Sequence, residues 1–210
     1  MRIQKKYNYI INFYKSKIKE FGTNNKGLAW ESEYKNKLRY SKIKNIIKKN
    51  YKYKFNLLDF GCGVSGLHEF LKKNKIAHNY TGIDTSKNII KFCRKKYKKN
   101  KYYNFDILKY KKKFGNYDVI VLNGIFTVKD KMKNTEMYTY IVKILKVLKN
   151  NTSGLMIMNF LTDKPDWKNK KNFYPDNKVL KSKFKREISN KIDILKLPKI
   201  FENIFILKLK

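Results

Sequence analysis

A glycine-rich segment directly follows a short apolar run that contains an acid. The run Phe55–Phe60 reads FNLLDF, with Asp59 as its fifth residue, and the segment over 61–66 reads GCGVSG. Three of the nine glycines fall within these six positions. Because glycine has no Cβ, a turn built from it can bring the backbone close to a ligand. The spacing predicts a strand–turn–helix unit with a ligand at the turn.

Polar residues recur where the next predicted strands end. Asp84 comes 25 residues after Asp59, Asp106 follows a third apolar run, and Asn123 ends a fourth. The carboxyl ends of parallel strands meet at one edge of a sheet, and an acid there can hold both hydroxyls of a ribose. The set therefore predicts a nucleoside cofactor, with Asp84 at its ribose.

Two kinds of nucleoside cofactor fit such a turn. A dinucleotide places its pyrophosphate at the helix N-terminus, whereas S-adenosylmethionine (SAM) carries a positively charged sulfur and no phosphate. An acid inside this motif, Asp59, two residues before the first glycine, suits a cationic ligand and opposes a pyrophosphate. The residues therefore favour SAM over NAD. No spacing of His, Cys and Asp suggests a metal site, and the only two cysteines, Cys62 and Cys93, cannot form a disulfide framework.

The elements that position these residues follow from the apolar periodicity. Helices are expected over about 1–20, 31–49, 67–73, 86–98, 135–149 and within 176–188. Strands are expected at 55–60, 78–84, 102–105, 117–123, 154–161, 191–197 and 204–209. Alternating strands and helices predict an α/β fold with a doubly wound, mostly parallel sheet. The last two strands have a short connection, which predicts an antiparallel hairpin at one edge.

Four segments resemble successive motifs of the class I SAM-dependent methyltransferases. They are LLDFGCGVSG, YTGIDTS, FDIL and YDVIVLNGIF, and they span about residues 50–161 in the family's order. The resemblance implies a seven-stranded Rossmann-like sheet with an antiparallel edge strand and SAM at its carboxyl edge. It implies that residues 51–210 form the SAM-binding domain and that residues 1–50 form a helical extension over the cofactor site. One departure is Ser65, which stands where the family usually has glycine, with Gly66 one place later.

The resemblance also implies which residues hold the cofactor. These are Asp59, Gly61, Cys62 and Gly63 at the methionine end, Ile83, Asp84 and Thr85 at the ribose, Asp106 and Ile107 at the adenine, and Asn123 and Gly124 near the methionine and the transferred methyl group.

Other residues resemble a bacterial subgroup of the same family. They are Trp30 and Arg39 before the glycine-rich strand, the NGIF turn over 123–126, and NFL over 159–161. Within this resemblance, Trp30 would cover the cofactor and Arg39 would meet its carboxylate. Alternatively, Trp30 anchors the core and Arg39 is an exposed helix residue.

The charge of the chain admits two interpretations. Lys and Arg number 51 against 16 Asp and Glu, a net charge of +35, and all but four of the basic residues are Lys. The excess reflects either A/T-rich coding or selection for phosphate contacts, for which proteins usually prefer Arg. No apolar run reaches the roughly 18 residues of a membrane helix, so a cytoplasmic protein is expected. The aromatic residues of the segment 162–175 either stack on an acceptor or pack in a loop; they are Trp167, Phe173 and Tyr174.

We predict a methyltransferase acting on a small-molecule or saccharide-type acceptor. The turn after Asn123 lacks the prolines typical of enzymes that methylate a flipped base. A general base is needed only if the acceptor must lose a proton, and His68 and His78 are expected to be structural. An RNA or DNA methyltransferase, a noncatalytic SAM-binding module and a nicotinamide-dependent oxidoreductase remain alternatives, and the oligomeric state stays open.

Overall fold

The computed structural model describes residues 2–24, 26–30, 32–110, 113–162 and 168–209, with side chains from residue 6. Its helices are α1 (Arg2–Phe21), α2 (Glu33–Asn50), α3 (Gly66–Lys73), α4 (Lys87–Lys96), α5 (Asn134–Lys149) and α6 (Asn177–Glu187). Its strands are β1 (Phe55–Phe60), β2 (His78–Ile83), β3 (Lys101–Tyr103), β4 (Tyr117–Leu122), β5 (Thr152–Leu161), β6 (Lys191–Leu197) and β7 (Glu202–Lys208).

The strands form one seven-stranded sheet in the order β3-β2-β1-β4-β5-β7-β6. The first five strands in this order are parallel, and β7 runs antiparallel to both of its neighbours. The predicted α/β class and the edge hairpin are confirmed. The reversed strand is inserted between β5 and β6, so it lies second from the edge.

Helices cover both faces of the sheet. On one face α1, α5 and α6 pack around a core that includes Tyr7, Ile141 and Phe184. On the other face α2, α3 and α4 pack around a core that includes Ile47 and Leu71. Strand β4 is buried on both faces, which explains its run of branched apolar residues. In the described part of the chain, no helix combines the length and apolarity needed to cross a membrane.

Several predicted boundaries shift by one or two residues, and two of these shifts have clear local reasons. Helix α2 begins at Glu33 rather than at residue 31, because the Ser32 side chain caps it by accepting a hydrogen bond from Lys35 N at 3.2 Å. Strand β3 ends at Tyr103, where its ladder with β2 ends opposite Ile83. Phe105, predicted to be in this strand, therefore lies past the carboxyl end of the strand.

Candidate functional site

The glycine-rich turn lies at the carboxyl end of β1 and is tied to β2. The backbone amides of Gly61 and Cys62 both donate to Ile83 O, at 2.8 and 3.0 Å. Gly61 has φ +74°, and a Cβ there would lie 2.3 Å from Ile125 Cγ2. Gly63 has φ +49°, and a Cβ there would lie 3.3 Å from the Leu28 side chain. Backbone conformation and close approach both require glycine at these positions.

The departure at Ser65 has a structural explanation. Ser65 adopts the left-handed conformation that glycine usually supplies, with φ +63°. Its buried hydroxyl hydrogen-bonds the hydroxyl of Tyr102 at 2.9 Å. A Cβ on Gly66 would lie 2.7 Å from Tyr40 Oη, so the late glycine makes room for that ring. Ser65 thus supplies the left-handed backbone conformation that glycine supplies elsewhere in the family.

Asp84 joins the turn to the start of α4. Its Oδ2 accepts from Gly63 N at 3.2 Å, and its Oδ1 accepts from Ser86 N at 2.9 Å. Burial raises the pKa of the Asp84 carboxyl above its usual range, while hydrogen bonds from backbone amides oppose this shift. Because Ser86 also caps α4 by accepting from Ile89 N, the position of Asp84 is well defined.

A cavity opens at this carboxyl edge, between the turn and α1. It brings together ten of the predicted site residues, which come from five separate segments of the chain. These residues are Trp30, Gly61, Gly63, Ile83, Asp84, Thr85, Asp106, Ile107, Asn123 and Gly124.

Two predicted site residues, Asp59 and Cys62, lie behind the cavity. Strand side chains alternate between faces, so Phe60 lines the cavity while Asp59 points toward the face covered by α2–α4. Asp59 is buried and accepts a hydrogen bond from Tyr80 Oη at 2.7 Å. Burial raises the pKa of Asp59 from 3.8 to about 7. The Cys62 sulfur likewise packs in the core of that face, close to Gly82.

Arg39 also lies outside the cavity lining, although its neighbour Trp30 is part of it. The Arg39 guanidinium forms a fork on the carboxylate of Glu202, with Nε at 3.0 and 2.8 Å from the two oxygens. Both side chains are largely buried, with 12% and 1% exposed. Glu202 thus holds the guanidinium in this structure, and the expectation that Arg39 meets a ligand carboxylate stays a prediction.

The carboxylate of Asp106 is partly engaged by α1. Tyr7 Oη donates to Asp106 Oδ2 at 2.9 Å, and Leu108 N donates to Oδ1 at 3.0 Å. Ile107, beside it, is buried in the core and lines the cavity. The two residues predicted to meet an adenine thus lie at one end of the cavity, beneath α1.

The turn after β4 forms the other end of the cavity. Asn123 is 7% exposed, and its Oδ1 has no hydrogen-bond partner among the described residues. Gly124 has φ +78°; its amide donates to Asn159 Oδ1 at 2.6 Å and its carbonyl accepts from Tyr14 Oη at 3.3 Å. Burial raises the pKa of Tyr14, so its hydroxyl remains a donor. Asn123 therefore lines the cavity between well-restrained backbone segments, with its Oδ1 buried.

Several lining residues were not predicted from the sequence. They belong to the inner face of α1 and to α5, and include Ile10, Ile11, Tyr14, Ile18 and Tyr140. The helical spacing of the apolar residues in α1 predicts a buried face. That pattern does not say which surface the face covers, so the link to this cavity needs the tertiary structure.

Two of the three aromatic residues noted after β5 are described by the structure, and both have partners within the protein. Phe173 is fully buried and packs edge-on against Tyr138. The Tyr174 hydroxyl accepts a hydrogen bond from Asn169 N at 2.9 Å. Trp167 lies outside the described residues.

The two histidines pair with each other near the amino-terminal end of β2, where His78 begins the strand. His68 Nδ1 and His78 Nε2 are 2.9 Å apart. Burial, the neighbouring His78 and Lys72 lower the pKa of His68 to about 4. Neither histidine lines the cavity. Among the described residues, no group of three or more His, Cys, Asp and Glu could hold a metal ion.

The need for glycine at position 61 can be tested by substituting two glycines that have similar φ angles, Gly61 and Gly124. Gly61→Ala adds a methyl group that meets Ile125, whereas Gly124→Ala adds one with no heavy atom within 4 Å. We expect Gly124→Ala to lower the free energy of unfolding by about 1 kcal/mol through backbone strain alone. Gly61→Ala should lower it by about 3 kcal/mol, because the clash adds to the strain. Urea unfolding measures both values, and equal losses would contradict the close approach at Gly61.

The cavity suits a nucleoside carrying an amino-acid chain. It offers an acid at the end of β2, two glycine positions that a Cβ would fill, and an orphaned buried oxygen on Asn123. These features fit a ribose and an amino-acid chain, whereas Asp59, the acid that favoured a cationic ligand over a pyrophosphate, does not line the cavity.

Comparisons with known proteins agree with this assignment. The family model described as "Methyltransferase domain" matches residues 51–203. No curated protein matches the sequence significantly. Among solved structures, magnesium protoporphyrin IX methyltransferase from Synechocystis PCC 6803, with bound SAM, is 11% identical, with a TM-score of 0.60 over 82% of this chain and 79% of that one.

Two further structures share the fold. The methyltransferase domain of the bacterial protein CtHen1-C is 16% identical, with a TM-score of 0.62 over 83% of this chain and 98% of that one. A SAM-dependent methyltransferase from Clostridium acetobutylicum ATCC 824 is 13% identical, with a TM-score of 0.59 over 97% of this chain and 98% of that one. With the family model covering most of the sequence, the chain belongs to the methyltransferase domain family.

Proposed function

We propose that the protein transfers a methyl group from SAM to a small-molecule or saccharide-type acceptor in the cavity beneath α1. The observation that carries this proposal is the character of the acceptor end. Asn123 presents one unpartnered buried oxygen there, and the walls around it are apolar or aromatic, including Ile125, Tyr14 and Tyr140. A narrow covered space with one polar anchor suits a compact acceptor.

The cofactor residues follow from their positions around the cavity. Asp84 would accept the two ribose hydroxyls, and the backbone at Gly61 and Gly63 would approach the methionine part. Asp106 and Ile107 would hold the adenine at the far end of the cavity. Asn123 and Gly124 would lie beside the methyl group, with Ile83 and Thr85 flanking the ribose and Trp30 closing the entrance.

The chain itself contributes orientation and shielding to the reaction. When bound, SAM supplies a methyl group activated by its positively charged sulfur. The helical extension of residues 1–50 would cover the site, since Tyr7 and Tyr14 of α1 hydrogen-bond Asp106 and the Gly124 carbonyl. This cover would exclude water that competes for the methyl group. Asn123 would lie beside the attacking atom of the acceptor and help to fix its position.

The distribution of lysines supports the small-acceptor proposal over a nucleic-acid substrate. A groove beside the cavity carries four lysines, which are Lys15, Lys19, Lys87 and Lys109. It reaches the cavity at Thr85 and Asp106, where ribose and adenine are expected, and Asn123 is not part of it. A basic track serving a nucleic-acid acceptor should instead lead to the methyl end.

A transfer assay with labelled SAM tests the proposal. The protein is incubated with SAM carrying a tritiated methyl group and with pooled hydroxyl, amine and saccharide acceptors, or with total RNA or DNA. We expect label in the low-molecular-weight fraction. Label in RNA or DNA would support the nucleic-acid alternative, and SAM binding without transfer to any acceptor would support a noncatalytic module.

Asn123→Ala gives a sharper test of the acceptor end. We expect turnover to fall about 100-fold, because the acceptor end loses the amide that positions the attacking atom. Affinity for S-adenosylhomocysteine should change by less than about threefold, since Asp84 and the glycine turn are untouched. Single-turnover rates and calorimetry measure the two quantities. Equal turnover in the variant and the wild type would remove Asn123 from the mechanism.

A further inference from the structure

A chain of buried hydrogen bonds runs from α2 to the cavity. Arg39 forms its fork on Glu202, which lies at the start of β7. Glu202 Oε2 accepts from Asn159 Nδ2 of β5 at 2.8 Å. Asn159 Oδ1 accepts from the Gly124 amide at 2.6 Å. Three side chains therefore connect a helix outside the cavity to the turn that forms its methyl end.

The two hydrogen-bond partners of Asn159 allow only one orientation of its side-chain amide. A carboxylate offers only acceptors, so the NH2 group of Asn159 must face Glu202 and its oxygen must face Gly124. Asn159 and Glu202 are 3% and 2% exposed, which leaves no water to replace these bonds. A buried ion pair by itself gives little net stability. The Arg39–Glu202 pair therefore calls for another role.

Arg39 also lies against Trp30, a second residue that lines the cavity. Its Cζ lies 5.7 Å from the centroid of the Trp30 ring, which lines the cavity. Its remaining guanidinium nitrogen, Nη1, donates to Asn36 Oδ1 at 2.8 Å. One guanidinium thus holds Trp30 directly and Gly124 through Glu202 and Asn159.

We propose that Asn159 and Glu202 are positioning residues for the methyl-transfer end of the site, with Arg39 balancing the buried charge of Glu202. Gly124 has φ +78° and no side chain of its own to pack, so hydrogen bonds orient its peptide group. The Asn159 bond and the Tyr14 bond hold it. The hydrogen bonds from Glu202 through Asn159 therefore set the orientation of the peptide that follows Asn123. The effect on the cofactor rests on the proposed function, whereas the restraint on Gly124 does not.

Two double variants separate the role of the hydrogen bonds from the role of the buried charges. Arg39→Met with Glu202→Gln removes both charges but leaves an oxygen that can accept from Asn159. Arg39→Met with Glu202→Leu removes the charges and that acceptor together. We expect the second variant to bind S-adenosylhomocysteine about tenfold more weakly than the first, as for the loss of one buried hydrogen bond. Asn159→Ala, which leaves the ion pair intact, should show the same loss if the leucine variant does not fold.

A second readout reports on the turn without any cofactor. With only nine glycines in the chain, labelling with ¹⁵N-glycine resolves the Gly124 amide by NMR. We expect the Gly124 resonance to shift in the leucine double variant and in Asn159→Ala, and to stay near its wild-type position in the glutamine double variant. Asn36→Ala is the matched control, because it removes a partner of the same guanidinium that lies off the chain; both readouts should remain at wild-type values.

The outcomes are distinct. An unchanged Gly124 resonance and unchanged affinity in the leucine double variant, or in Asn159→Ala, would overturn the positioning role. A shift in Asn36→Ala as large as that in Asn159→Ala would also overturn it, since general loosening would then explain both. If the wild type does not bind S-adenosylhomocysteine but the Gly124 resonance shifts as expected, the proposed cofactor site fails and the restraint on Gly124 stands.

Discussion

Replacing Asp84 with Asn is expected to weaken S-adenosylhomocysteine binding about 100-fold, because two charge-assisted hydrogen bonds to the ribose become weaker neutral ones. The substitution preserves the shape of the side chain and an oxygen that can accept from the Gly63 or Ser86 amide. Isothermal titration calorimetry measures the affinity directly. S-adenosylhomocysteine is the appropriate probe because it has the same ribose and cannot be consumed.

The pH dependence of this binding carries a second signature of Asp84. Burial raises its pKa, so the wild-type protein should begin to lose affinity at a higher pH than an ordinary aspartate would cause. As the pH falls through that raised pKa, Asp84 becomes protonated and the affinity declines. Asp84→Asn should lack this decline, because its side chain does not titrate.

Asp118→Asn is the matched control for Asp84→Asn. Asp118 also accepts from a backbone amide, that of Asn56 at 2.8 Å, but lies at the opposite end of β4 from the cavity. Its replacement should leave the affinity unchanged. If Asp84→Asn binds as tightly as the wild type, the ribose assignment is wrong. If the wild type does not bind, SAM does not occupy this cavity.

The second large effect is the response of stability to pH at Asp59. Below pH 3.8 both the folded and the unfolded chain carry its proton. Between 3.8 and about 7 the unfolded chain releases the proton while the folded chain keeps it. The contribution of Asp59 to the free energy of unfolding therefore falls as the pH rises through this window, by about 4 kcal/mol, and is constant above it.

The wild-type profile alone does not isolate this contribution. Burial lowers the pKa of His68 and His78, and these groups favour stability as the pH rises through the same window. The difference between Asp59→Asn and the wild type cancels them. The stability of Asp59→Asn relative to the wild type should thus increase by about 4 kcal/mol between pH 4 and pH 7.5. Urea unfolding at several pH values measures this difference.

Tyr80→Phe provides the complementary test. The Tyr80 hydroxyl donates to Asp59 at 2.7 Å and favours its ionised form. Its removal should raise the pKa of Asp59 further and extend the pH-dependent window upward. A constant difference between Asp59→Asn and the wild type across pH would show that Asp59 is not titrating from a buried position.

Sequence patterns alone predict much of the fold and a large part of the site. Strands β1 and β6 have the predicted bounds, because apolar periodicity and turn residues are local signals. The glycine-rich turn and Asp84 are equally predictable, because a strand–turn–helix unit places them by short spacing. Ten of the predicted site residues line one cavity since parallel strands bring their carboxyl ends to a common edge.

The tertiary structure alone decided three features of the site. Alternation along β1 turned Asp59 toward Tyr80 and away from the cavity, and the insertion of β7 beside β5 placed Glu202 next to Asn159. Arg39 and Glu202 are 163 residues apart in the chain, so no local pattern could pair them. The packing of α1 across the cavity is similarly non-local. Sequence periodicity shows which face of an element is buried, but its partner depends on strand order and on how the faces pack, and only the assembled chain determines these.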